Sequence, residues 1–130
     1  METTDFCSYE LSKRLKDCGF DDPCYFYYTR KDSPDDHVWL TTSEEAPIDY
    51  NRSVYAGCSM PTLAQAQKWL REKKGIYAYC EPNCLKKWFA RAIDLVKNED
   101  LLFDGEMFDN FEKATEYAIA AALELIKEGE

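Results

Sequence analysis

The single histidine, His37, stands beside Asp35 and Asp36, and six cysteines at positions 7, 18, 24, 58, 80 and 84 could offer it a thiol. A Cys–His pair works because the imidazole takes the thiol proton and leaves a nucleophilic sulfur. Nothing in the spacing selects one of the six as the partner. His37 therefore reads as an exposed residue at the start of a strand, and no catalytic residue is assigned. No serine sits in a Gly-x-Ser-x-Gly elbow, and no glycine-rich loop is present to cradle a phosphate.

Cys80 and Cys84 enclose Glu81-Pro82-Asn83, a separation that suits two thiolates on one tetrahedral zinc. A closed site needs two more ligands, and Cys24, Cys58 and His37 qualify only by elimination. A second close Cys/His pair, the usual signature, is missing. The pair reads first as a strand thiol and a loop thiol, and no cofactor is assigned. The acidic run at Asp100, Asp104, Gly105 and Glu106 does not make a calcium loop. Counting back from Gly105, the third and fifth ligand positions fall on Leu102 and Asp104, so one of the two lacks a carboxylate.

The third constellation is basic and aromatic. Lys68, Arg71, Lys73, Lys74, Lys86, Lys87 and Arg91 are interleaved with Trp69, Tyr77, Tyr79, Trp88 and Phe89. Cations of this kind hold phosphates while aromatic faces stack bases. Residues 61–97 hold eight Lys/Arg and three Asp/Glu, a balance of +5; the chain totals -9, so the remainder carries -14. A field of that sign repels nucleic acid at long range and leaves only a local patch for it. The helix–strand–strand–helix order through this segment loosely resembles double-stranded-RNA modules. The final helix, however, opens on Asp109, Glu112 and Glu116, where those modules concentrate basic residues. The residues assigned to a partner surface are Lys68, Trp69, Arg71, Lys74, Tyr77, Lys86, Lys87 and Trp88.

The elements that must position these groups are read from period and caps. A helix is expected over 5–17, with Thr4 as N-cap; Cys7, Leu11, Leu15 and Cys18 form one stripe and Gly19 closes it. Cys24–Thr29 reads as an aromatic strand. Asp32–Asp36 is a turn by composition, and His37–Thr42 returns as a second strand. Residues 43–60 show no period, apart from a short strand near 53–56. Thr62 and Gln65 form a capping box for a helix with Leu63, Ala66 and Leu70 inward and Trp69 beside them, ending at Gly75. Ile76–Cys80 is a strand and Glu81-Pro82-Asn83 a turn. Residues 85–96 match a helical period better in count, yet the turn before them and the topology favour a strand. Residues 98–107 read as an acidic loop. Asp109 then caps a last helix, with Phe111, Ala114, Ala118, Ala121, Ala122 and Leu125 on one face and Ile119, Leu123 and Ile126 widening it.

The order α-β-β-α-β-β-α gives an α+β fold with a small, mostly antiparallel sheet covered by helices. A chain of 130 residues, 45% of them apolar, can bury roughly two thirds of its unfolded surface in one domain over residues 1–130. No run approaches the ~20 apolar residues of a membrane span. Met1–Asp5 has no basic region followed by an apolar stretch, so a reducing, cytoplasmic setting with unpaired thiols is expected.

The runs Tyr9–Phe20 (YELSKRLKDCGF) and Pro61–Glu72 (PTLAQAQKWLRE) and the closing Phe111-Glu112-Lys113-Ala114 resemble small proteins of phages and prophages of Bacteroides-type gut bacteria. The likeness covers most of the chain in order, but through caps and stripes. It implies a bacterial host cell and a strand at Trp88–Val96, and it carries over no activity and no site residue. The cysteine content departs from the pattern. Together these readings give a non-enzymatic accessory protein that binds a protein, or a second copy of itself. Nucleic-acid binding through 61–97 comes second, and a small zinc domain through Cys80 and Cys84 third.

Overall fold

The computed structural model describes residues 6–24, 26–29, 51, 56–83, 86–102 and 106–128. The elements are helix α1 (Tyr9–Asp17), strands β1 (Tyr27–Thr29) and β2 (Ala56–Ser59), and helix α2 (Leu63–Trp69), which runs on into a π-helical turn, Leu70–Lys74. Strands β3 (Ile76–Pro82), β4 (Trp88–Asp94), β5 (Glu99–Leu102) and β6 (Met107–Phe108) follow, and helix α3 (Phe111–Glu128) closes the chain. The fold is α+β, as the sequence indicates.

Strand β4 organises the main sheet. It pairs antiparallel with β3 along its whole length, from Ile76↔Asp94 to Pro82↔Trp88. Its other edge is shared by β5, through Ala92↔Leu102, and β6, through Trp88↔Phe108. Residues 88–94 are thus a strand. Their burial alternates, with Ala90 and Ala92 fully inside and Phe89, Arg91 and Ile93 half-buried on the other face. Helix α3 lies across the alanine face. Ala78, Ala90 and Ala92 of the sheet and Ala114, Ala118 and Ala122 of the helix are all buried, and side chains this small let helix and sheet approach closely. Ile119, Leu123, Leu15, Leu70 and Phe20 complete the core, each supplying about 1.5–3 kcal/mol of burial.

A second, two-stranded sheet joins β1 to β2 with Tyr27↔Ser59 and Tyr28↔Cys58. Phe6, Cys58 and Met60 form a smaller core there, with Phe26 edge-on to Phe6 at 5.0 Å. The partner strand is close to the short one expected near 53–56. The segment 37–42, the turn 32–36 and His37 lie outside the described residues.

Three expectations are corrected. Residues 98–107 are not a plain loop. The Asp94 carboxylate accepts from the Val96 and Lys97 N–H groups at 2.9 and 3.0 Å, Asn98 takes φ 55°, and the chain turns back into β5. Helix α1 begins later than expected, because Ser8, not Thr4, caps it: Ser8 Oγ accepts from Leu11 N at 3.2 Å. The preceding residues run alongside the start of α2 instead, with Cys7 N donating to Pro61 O at 2.9 Å. For α3 the cap is Asn110, whose Oδ1 accepts from Lys113 N at 2.8 Å, and Asp109 pairs with Lys87.

The α2 capping box is half formed. Thr62 Oγ1 accepts from Gln65 N at 3.0 Å, but the Gln65 amide donates to Pro23 O at 2.8 Å and so ties the 20s segment to the helix. Among the described residues, no helix is long and apolar enough to cross a membrane.

Candidate functional site

Helix α2 ends in an unusual way, and the candidate site follows from it. The Gly75 N–H donates to Leu70 O, five residues back, and Gly75 sits at φ 68°. Trp69 and Leu70 are both buried, Trp69 with its ring 5.4 Å from Phe20 in an edge contact. The next four residues, Arg71, Glu72, Lys73 and Lys74, are all exposed. Four successive residues exceed one α-helical turn of 3.6, so one of them would ordinarily face inward; the widened π turn keeps all four outside.

Two of these cations rest on aromatic rings. The Arg71 guanidinium lies 5.5 Å from the Tyr77 ring centroid, and the Lys74 ammonium 5.7 Å from the Trp69 ring. Such contacts restrain long side chains that would otherwise sweep through solvent. Tyr77 and Tyr79 alternate onto the sheet face away from α3 and stack at 4.6 Å with planes 14° apart. Beside them Arg91 bridges neighbouring strands, its guanidinium donating to Glu81 at 2.6 Å and to Asp100 at 3.0 Å.

The β4–β5 turn supplies the apolar part. Leu95 and Val96 are 49% and 85% exposed, and the Leu95 N–H donates to Gly75 O at 2.8 Å. A Cβ placed on Gly75 would lie 3.3 Å from Val96 Cγ2, so the turn sits against the end of α2. Arg71, Lys73, Lys74, Leu95, Val96 and the exposed Lys97 therefore share one end of the protein. Asp21 and Asp22 flank this end on the Lys68 and Lys73 side. Partial burial, and then the charge of Asp21, push the Asp22 carboxyl up.

Of the eight residues expected to bind a partner, Lys68, Arg71, Lys74 and Tyr77 gather around the end of α2. Trp69 is next to them but buried, so it supports the surface from beneath. Lys86, Lys87 and Trp88 are at the opposite end of β3, and seven strand residues put about 20 Å between the two groups. Lys86 holds φ 62° in the turn. Lys87 pairs with Asp109, and this hydrogen bond holds the Asp109 carboxyl below its usual range. Trp88 packs on the helix side, edge-on to Phe111 at 5.3 Å. Leu95 and Val96 were not singled out from sequence. Two aliphatics set between the turn residues Asp94 and Asn98 were the signal available.

Cys80 faces α3, its Sγ 3.3 Å from Thr115 Oγ1 and 3.7 Å from Phe111 O. Cys84 lies outside the described residues. Among those described, no three His, Cys, Asp or Glu side chains converge where a metal ion could sit. The deeper thiols are held in their neutral form. Burial pushes Cys58 up to about 11 and raises Cys7 well above its ordinary value, so neither is poised as a thiolate nucleophile at neutral pH. A shallow groove of about 410 Å³ between α1, α3 and β5 is lined by Arg14, Leu101, Leu102, Tyr117 and Leu125. It is mainly apolar.

No protein-family model, curated protein or solved structure matches this chain.

Proposed function

We propose that this is a non-enzymatic accessory protein that acts by binding another protein in a bacterial cell. One observation carries the reading. Exposed Arg71, Lys73 and Lys74, half-buried Tyr77 beneath Arg71, and the exposed pair Leu95–Val96 packed against Gly75 gather at the π-helical turn. Arginine and tyrosine are among the residues from which protein interfaces draw most of their energy. The phage or prophage origin rests on the resemblance of the helical runs at 9–20, 61–72 and 111–114.

Binding of nucleic acid through the same cations is the second reading, favoured by their number. It is weakened at the tyrosines, which stack on each other while Arg71 occupies Tyr77, and by Glu81 and Asp100 beside them. Splitting the basic segment between two ends of β3 removes the extended groove that a polyphosphate chain follows.

A photo-crosslinking amino acid at position 96, compared with one at Glu124 on α3, tests the proposal in the bacterial host. Adducts with one protein that form from position 96 and not from 124 support it. Adducts from neither, together with salt-dependent binding of labelled RNA or DNA by the purified chain, would overturn it in favour of the second reading.

A further inference from the structure

We infer that the surface at the end of α2 docks an acidic peptide segment that carries at least one aliphatic side chain. This rests on the protein-binding reading above and names the chemistry of the partner.

Charge gives the first argument. Arg71, Lys73, Lys74 and Lys97 are exposed around the tip, with two exposed carboxylates among them, Glu72 and, opposite Asp94 in β5, Glu99. The Asp94 carboxylate, which would oppose them, is engaged by the N–H groups of Val96 and Lys97. The patch thus presents four exposed cations against two exposed carboxylates, on a chain whose total is -9. Asp21 and Asp22 confine it on one side, and Glu81 and Asp100 on the sheet side.

Apolar exposure gives the second. Val96 is 85% and Leu95 49% exposed on a turn that packs against Gly75, next to Lys74 in the chain, so an aliphatic residue of the partner gains contact there while its acidic neighbours reach Lys74 and Arg71. Pre-ordering gives the third. Arg71 over Tyr77 and Lys74 over Trp69 are already restrained, which lowers the rotamer entropy lost on binding.

The extent of the patch decides between partners. Along the sheet the next basic group, Arg91, is held by Glu81 and Asp100; Lys86 and Lys87 follow about 20 Å away along β3, where Lys87 is paired with Asp109. A short peptide needs only the one end, whereas a nucleic acid strand would cross Glu81 and Asp100. An anionic membrane would meet two aliphatic side chains of modest size on a strongly acidic protein, too little to anchor it.

The test uses the full chain as bait for a random 12-residue displayed-peptide library, followed by synthesis of the selected peptides. The expected consensus combines Asp or Glu with Leu, Ile or Val. Binding of the synthetic peptides should weaken as salt is raised. It should fall by about tenfold in R71E/K74E and in Val96→Asp, and hold in Lys86→Glu at the far end. The Asn/Gln version of a selected peptide should lose a similar factor. Circular dichroism and the denaturation midpoint confirm that each variant is folded.

A library without acidic enrichment would overturn the inference, as would peptides that bind R71E/K74E unchanged. So would a labelled 20-nucleotide RNA, or phosphatidylglycerol vesicles, that bound more tightly than the peptides and depended on the same residues. If position 96 crosslinks a protein through a neutral or basic segment, this inference fails while the protein-binding reading stands.

Discussion

Gly75→Ala is a sharp probe of how the candidate surface is held. Two costs compete at this position. The backbone sits at φ 68°, where a Cβ crowds its own carbonyl, at about 1–2 kcal/mol. The new methyl would also lie 3.3 Å from Val96 Cγ2. Val96 is 85% exposed on a turn, so it can move by a few tenths of an ångström at little cost. The backbone cost should therefore dominate. Alanine also removes some freedom from the unfolded chain, which returns a few tenths of a kcal/mol.

The expected net loss is about 1 kcal/mol, or roughly 4 °C in Tm for 130 residues. Urea or thermal unfolding followed by circular dichroism measures it. Val96→Ala in the same background should recover less than about 0.3 kcal/mol, and Gly75→Asn should lose less than alanine, because asparagine tolerates the left-handed region. Full rescue by Val96→Ala would refute the reasoning and make the contact, not the backbone, the reason for glycine.

The other predictions concern caps, charge and packing. Thr62→Ala removes the hydroxyl that accepts from Gln65 N and should cost about 1 kcal/mol in a denaturant titration. Cys58 is pushed from 9.0 to about 11 by burial, so between those pH values the unfolded chain gives up a proton that the folded chain keeps. Stability from this group is complete below pH 9, is lost as pH rises toward 11, and amounts to about 2–3 kcal/mol; Cys58→Ala should flatten that slope in unfolding curves taken at several pH values. Lys87→Ala should leave the unfolding midpoint unchanged, because its pairing with Asp109 is exposed to solvent. Ala92→Leu, by contrast, forces a larger side chain beneath α3 and should cost about 1–3 kcal/mol by the same measurement.

Much of the architecture was legible because local and global signals agree. Thr62 and Gly75 mark the limits of α2 and its π turn, and the alanines of α3 announce a helix pressed against a sheet. Strand β4 was harder. Trp88, Phe89, Ala92 and Ile93 fit one face of a helix better than they fit a strand, and only pairing with β3 decides the matter. Strand β5 was missed because four residues with Glu99 and Asp100 at the start show no period, as befits an edge strand blunted by charge. Ser8 displaced Thr4 as a cap through bonds from Cys7 N to Pro61 O and from Ser8 N to the Glu116 carboxylate, both to residues more than fifty positions away.

The candidate surface was half legible. The basic segment from Lys68 to Lys87 stood out by composition. Its division in two could not be read, since it follows from the length of β3. The role of Leu95 and Val96 depends on a turn folding back onto Gly75, and single residues do not advertise such a meeting.

Arg91 has a consequence for assembly of the sheet itself. Its two bonds reach a residue before β4 in the chain and another after it, Glu81 and Asp100. A slip of either hairpin by one position would carry the corresponding carboxylate through to the alanine side, leaving it stranded under α3 and the guanidinium half satisfied. A single side chain thus rejects misaligned versions of both hairpins. That check matters most for β5, whose four residues offer few other bonds to choose the correct alignment.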